Sequence, residues 1–286
     1  MSFEKPTFEN NDSKIEELKG LILTSEGYMK TPYAMNAEKG DPYTFNLSNK
    51  EKELIFFGSP HINDPESPIF DSIKEKIEET KPDIVYVEGI PSIDRIKEEI
   101  GSLTLDEAKK QGESIFSLKL AIENNINVES PEPDFSKELE YQTNQGFSKK
   151  DIFNYYMYRI INQYQHNNEN TNVEECKNIL KQRFERFRKQ SNWDEKELEI
   201  MEKEIIDQLD IKDNKYSNET DPIPWEGKPQ TVINEVSRSS SNFRDKHIFE
   251  EIAKGKEKYN KLFVVYGSGH AVSQEPALKA LFEKEI

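Results

Sequence analysis

The sequence predicts an α/β fold, a central and mostly parallel β-sheet flanked by helices, with a helical insertion over the carboxyl edge of the strands. Three observations carry that prediction. Continuous apolar, β-favouring runs at residues 54–57, 84–87 and 262–266 read as strands buried on both faces. The first two are joined by one amphipathic helix pattern, a crossover short enough to make them parallel neighbours. The β signal then lapses between Asp134 and Leu262, where helical periodicity takes over. The 286 residues are read as one domain, 1–286, with 148–222 inserted into it.

Taken in order, residues 1–13 are polar and read as loose, and a short amphipathic helix follows over 14–18. Leu21-Ile22-Leu23-Thr24 and Tyr43-Thr44-Phe45-Asn46-Leu47, separated by Gly, Pro and Asn, predict a hairpin on the sheet edge. From Glu53 a strand runs to Gly58, and a loop through His61 and Asn63-Asp64-Pro65 leads to a helix. Ser67 caps it and Pro68 opens it, because the first turn leaves the missing Pro donor unused anyway. Ile69, Phe70, Ile73 and Ile77 form its apolar face, and Lys81-Pro82 stops it. Asp83-Ile84-Val85-Tyr86-Val87-Glu88-Gly89 is a second strand ending on an acid. A helix over 114–124 and a short strand over 127–130, carrying Glu129, complete a third unit.

The insertion shows three amphipathic helices. Ser148 and Asp151 cap one that carries Ile152, Tyr155, Tyr156, Ile160 and Tyr164; the second aligns Cys176, Ile179, Leu180, Phe184 and Phe187; Asp194 and Glu197 open the third, with Leu198, Met201, Ile205 and Leu209. Tyrosines at helical spacing read as core before they read as a substrate pocket. The segment is expected to be too charged for a second large core, and to pack beside the site as a lid or wall. Asp221-Pro222-Ile223-Pro224-Trp225 returns the chain to the sheet, followed by helices over 232–236 and 242–258, the last strand, and a terminal helix from Gln274.

Composition narrows the function classes. Hydrophobic residues make up 34% and charged residues 33%, and 39 basic against 55 acidic residues give a formal charge of −16. That balance argues against nucleic acid, whose phosphates need clustered positive charge. A cationic ligand suits it, although interleaved Lys and Glu read mainly as solvated helix faces. One cysteine, Cys176, excludes an intramolecular disulfide and fits a reducing compartment. Its place on an apolar stripe makes it a poor nucleophile. No apolar signal core opens the chain and no run approaches the roughly 20 residues of a membrane span, so a cytoplasmic protein without a membrane segment is expected.

The chemistry concentrates in a repeated element. Gly58-Ser59-Pro60-His61 and Gly267-Ser268-Gly269-His270 each follow an apolar strand, and composition would supply only about 0.2 Gly-x-x-His matches by chance. Each glycine is expected to mark a sharp backbone turn, and each histidine to stand at the carboxyl edge of the sheet, where ligands bind in α/β folds. With Glu88 at a third strand end, His61 and His270 make a two-His, one-carboxylate set suited to a divalent metal, which supports hydrolysis. Glu88 reads equally as a general base, an N-cap or an ion-pair partner. Arg244 is the cation placed to hold a carboxylate or a developing oxyanion. His247, one helical turn from Arg244, and His166, in an Asn-rich loop, read as surface residues.

The ordered set Phe57-Gly58-Ser59-Pro60-His61, Val87-Glu88, Asn242-Phe243-Arg244-Asp245 and Val265-Tyr266-Gly267-Ser268-Gly269-His270 resembles the TraB/PrgY/GumN family, which includes the Tiki proteases and is related to the erythromycin-esterase and ChaN-like group. The resemblance covers roughly residues 53–271 and leaves out the helical middle. It implies a metal site at His61, Glu88 and His270, a characteristic arginine at Arg244, an acid after a later strand at Glu129, and Gly58 and Gly267 in support. It also implies a manganese- or cobalt-dependent peptidase acting on a peptide or a small amide or ester. The relatives suggest two alternatives: a metal-independent esterase with a histidine base, and a PrgY-type regulator that binds a peptide without cleaving it.

Overall fold

The computed structural model describes residues 8–36, 41–62, 64–90, 92–167, 172–211, 215–224 and 226–283; residues 1–7, Asn63 and Trp225, read above as loose chain or loop, lie outside it. Helices α1 (Phe8–Lys19), α2 (Ser25–Met29) and α3 (Pro32–Asn36) precede strand β1 (Tyr43–Asn49), which turns at Lys50 (φ 54°) into β2 (Lys52–Ser59). The hairpin therefore joins β1 to β2, antiparallel, with Tyr43 opposite Gly58. Residues 21–24 are not its other arm, as the sequence reading had it. The Thr24 side chain accepts from Gly27 N and starts α2, while β2 takes up the inner ladder of β1.

The parallel part is built from β2, α4 (Ile69–Thr80), β3 (Ile84–Val87), α5 (Ile93–Ser102), α6 (Leu105–Lys109), α7 (Glu113–Glu123) and β4 (Asn127–Glu129). The N-cap of α4 is Pro68, whose carbonyl accepts from Ser72 N and which has no side-chain cap bond, rather than Ser67 as expected; Lys81, at φ 47°, ends the helix. Helices α5 and α6 went unseen in the sequence because each is short; α6 is nucleated by a capping box between Thr104 and Glu107.

Then come α8 (Phe135–Asn144), α9 (Lys149–Asn167), α10 (Val173–Gln190), α11 (Glu195–Asp207), α12 (Lys215–Thr220) and α13 (Val232–Lys258), followed by β5 (Lys261–Gly267) and α14 (Ser268–Glu283). Helix α13 is continuous where two helices were expected. The serine-rich stretch 237–241 reads as a break, yet Ser237 Oγ donates to Thr220 O at 2.6 Å and Ser240 Oγ to the Glu138 carboxylate, so these two hydroxyls stop competing with the helix. Helix α14 starts at Ser268 rather than Gln274, directly after the strand, with Ser268 Oγ bonded to Gly58 O at 3.0 Å. His166 lies in the last turn of α9, exposed, and not in a loop.

The sheet order is β1-β2-β5-β3-β4, parallel except for β1. The strand from the end of the chain thus lies between two from its beginning, with Ser59 opposite Gly267 and Val87 opposite Val265. Alternate residues of β2, β5 and β3 face two cores. Leu54, Phe56, Tyr86, Val264 and Tyr266 pack toward α1, α13 and α14, whereas Ile55, Phe57, Val85, Phe263 and Val265 pack toward α4, α5 and α7. Burial on both faces is what makes these strands continuous apolar runs.

Contacts divide the chain into two compact units, Met1–Glu132 with Asp245–Ile286, and Pro133–Arg244. Helix α13 contributes to both. The second unit has a substantial core of its own, built around Ile152, Phe153, Met157, Cys176, Leu180 and Phe184, contrary to the expectation drawn from its charge. Charges such as those of the Lys149–Glu197 and Lys150–Glu204 pairs occupy outward helix positions, so the apolar stripes remain free to converge. Tyr155 and Tyr164 are buried, and Tyr164 Oη exchanges hydrogen bonds with the Asn172 backbone.

Candidate functional site

Three neighbouring strands of the first unit deliver one side chain each to their carboxyl edge: β2 leads to His61, β3 to Glu88 and β5 to His270. The Glu88 carboxylate lies between the two imidazoles, its Oε2 3.6 Å from His61 Nε2 and its Oε1 3.7 Å from His270 Nε2. Glu88 is fixed from both sides. Its own N–H donates to Val265 O (3.2 Å), and its Oε2 accepts from Gly267 N (2.6 Å), while Gly89, at φ 78°, turns the chain away immediately afterwards. Gly89 N and Ile90 N donate to the Glu132 and Ser130 side chains, tying this turn to the loop after β4.

His270 stands in the first turn of α14 with its side chain 15% exposed, and its Nδ1 lies 2.7 Å from Asp245 Oδ1 on α13. Gln274 Nε2, one turn further along α14, donates to the same oxygen at 2.9 Å. Asp245 acts as an acceptor, so Nδ1 carries a proton and Nε2 is the ring nitrogen turned toward Glu88. Asp245 was visible only as part of a motif, and Gln274 not at all. An i to i+4 spacing of His and Gln on α14 was the one local trace, and it names no partner 25 residues away.

His61 reaches the site differently. It is a non-glycine residue at φ 57° on a loop, with a side chain 61% exposed. The two motif glycines are not the sharp turns expected of them, since neither has positive φ. They permit close approach instead. A Cβ on Gly58 would lie 2.6 Å from Tyr43 O and 2.8 Å from Ala271 Cβ, and one on Gly267 would lie 2.5 Å from His61 Nε2.

Other candidates fall elsewhere. Glu129 is exposed on β4 opposite Tyr86, whose hydroxyl pKa is pushed up by burial and then by Glu129. Arg244 is the last residue of the second unit, within electrostatic reach of Arg159 on α9. The Cys176 thiol is buried, and burial with Glu175 nearby pushes its pKa up to about 11, so it is no nucleophile. A groove of about 760 Å³ opens at the opposite edge, where β3, β4 and β5 begin, lined by Lys81, Asp83, Asn125, Asn127 and Asn260. Of its two acids, Glu78 and Asp83, the second is structural, because Asp83 Oδ2 accepts the backbone N–H groups of Asn260 and Lys261.

The donor set has a definite electrostatic character. A carboxylate and an imidazole lone pair facing each other beyond hydrogen-bond distance repel unless positive charge sits among them, whether a proton on a ring or a metal ion. Separations of 3.6 and 3.7 Å are close to those between neighbouring ligands of a small divalent ion with bonds of roughly 2.0 to 2.2 Å. Among the described residues, no group of three or more His, Cys, Asp or Glu is placed as it stands to hold a metal ion.

Compared with known proteins, the chain matches no family model, and neither a curated protein nor a solved structure is significantly similar to it. No helix among the described residues is long and apolar enough to cross a membrane.

Proposed function

We propose that the chain is a divalent-metal-dependent hydrolase that cleaves amide or ester bonds, with a peptide as the first substrate class to test. The observation that supports this most is the Glu88 carboxylate set between two imidazole nitrogens at the carboxyl edge of three neighbouring strands. His61, Glu88 and His270 would hold the ion, which when bound supplies Lewis acidity toward a carbonyl and a water of lowered pKa. The protein's own part is preorganisation. Asp245 and Gln274 fix the ring and tautomer of His270, as carboxylate partners of ligating histidines do, and the Gly267 N–H holds Glu88 in place. A general-base role for Glu88 and charge stabilisation by Arg244 belong to this reading on the strength of residue type and place in the sequence. The lone, buried Cys176 suits a reducing compartment such as the cytoplasm.

One observation favours a second reading. An imidazole clamped by a carboxylate at 2.7 Å is also the arrangement of a general base, so the Asp245–His270 pair would serve a metal-free esterase. Metal analysis of gently purified protein, together with His61→Ala, His270→Ala and the double variant, separates the two. The metalloenzyme reading expects stoichiometric Mn, Co or Zn in the wild type, loss of metal and activity in either single variant, and a double variant little worse than the worse single one. Background metal with ester turnover persisting in chelator would reject it in favour of the base. Tight peptide binding without cleavage under either condition would point to a regulator.

A further inference from the structure

A buried acid, Glu113, bonds the chain on either side of the less constrained of the two histidines. Glu113, the first residue of α7, is only 6% exposed and follows Gly112 at φ 93°. Its Oε1 accepts two hydrogen bonds from the loop that carries His61, one from Ser59 Oγ at 2.5 Å and one from Ile62 N at 2.8 Å. The bracket closes through Ser59 Oγ, which also accepts from His61 N at 3.3 Å. A single carboxylate oxygen thus grips the chain on both sides of His61. It does so from a helix that is itself anchored in the core through Phe116, Leu118 and Leu120.

His61 needs such a grip. Its backbone has the left-handed conformation that a residue with a Cβ rarely adopts, its side chain is mostly in solvent, and its Nε2 packs where any side chain on Gly267 would stand. Nothing in those three facts would hold the ring beside Glu88 if the loop were free to relax. The acid is also well placed for the task. At the first position of a helix its negative charge is favoured by the macrodipole, and a charged acceptor makes stronger hydrogen bonds to the loop than a neutral one.

We infer that Glu113 is a positioning residue. It holds His61 in its left-handed conformation, and through it the imidazole against Glu88, without touching substrate or metal. The inference rests on the reading of His61 as a site residue and adds a residue to that site.

The test uses the full-length protein and needs no substrate. With four histidines in the chain, the imidazole ring signals can be assigned one by one by NMR. In Glu113→Ala the His61 ring and backbone signals should shift or broaden, while those of His270 stay at their wild-type positions. In Glu113→Gln, whose amide oxygen can accept the same two bonds, the His61 signals should return to near wild type. Ser59→Ala, which removes one arm of the bracket, should give a weaker version of the alanine effect, and it decides the matter should Glu113→Ala fail to fold. Unchanged His61 signals in Glu113→Ala and Ser59→Ala would overturn the inference, as would equal disturbance of His61 and His270, or a Gln variant as perturbed as the Ala variant. Because these spectra are independent of turnover, absence of hydrolase activity would count against the proposed function and leave this result standing.

Discussion

The two Gly-x-x-His elements share a spacing and a strand before them, and the chain builds them in different ways. After Gly58 it runs into an exposed loop, and His61 is presented by an unusual backbone angle and by hydrogen bonds to Glu113. After Gly267 it enters α14 at once, and His270 is held in the helix by Asp245 and Gln274. Even the glycines differ in purpose: Gly58 makes room for backbone and core, Gly267 for the His61 side chain. A repeated motif therefore marks repeated destination rather than repeated structure. One histidine is rigid through its helix, the other only as rigid as its loop.

The largest test of that contrast exchanges the glycines. Gly58→Ala should destabilise by about 1–3 kcal/mol in urea denaturation, because its Cβ would meet backbone and a core methyl that cannot move aside. Gly267→Ala should change stability far less, since the atom it would strike belongs to a mostly exposed side chain that can swing out, but it should displace the His61 ring signals. Equal losses of stability in both would remove the distinction.

Next comes truncation of the histidines. His270→Ala leaves the buried Asp245 with one donor fewer and is expected to lower stability by about 1–2 kcal/mol. His61→Ala should stay within about 0.5 kcal/mol, and His61→Gly, which relieves the left-handed strain, should raise stability by up to about 1 kcal/mol while eliminating the site. Thermal melts of the three variants check the order. A His61→Ala protein as unstable as His270→Ala would show that the loop contributes to the fold as much as the helix does.

The smallest effect lies away from both motifs and calibrates them. Lys19 on α1 bonds Glu250 on α13 at 2.6 Å. Burial raises the Glu250 pKa, but Lys19 and Lys254 outweigh it and hold the carboxyl down at about 2, against an ordinary 4.5. Its contribution is therefore complete above the ordinary value and is lost as pH falls toward 2. For Lys19, burial is likewise outweighed, by Glu16 and Glu250, and the pKa rises, so that contribution is lost only in strong alkali. Glu250→Gln should cost at most about 1 kcal/mol at neutral pH and flatten the acid limb of a stability profile between pH 4.5 and 2. A limb as steep as in the wild type would assign the acid sensitivity to other groups.

The sequence by itself determined the strands β2, β3 and β5, the end of α4 at Lys81, the N-cap of α11, and the apolar stripes of α9, α10 and α11, because each follows from side chains a few positions apart. It also identified His61, Glu88 and His270 as residues at strand ends. Only the tertiary structure decided that β5 lies between β2 and β3, which brings the three together, and that α13 runs unbroken through its serines. The partners that orient the histidines, Glu113, Asp245 and Gln274, belong to the same class of information. Hydrophobic periodicity repeats every two or 3.6 residues and is legible in any short window. A buried hydrogen bond carries no such period: Ser59 and Glu113 are 54 positions apart, and packing of the whole sheet is what makes them neighbours.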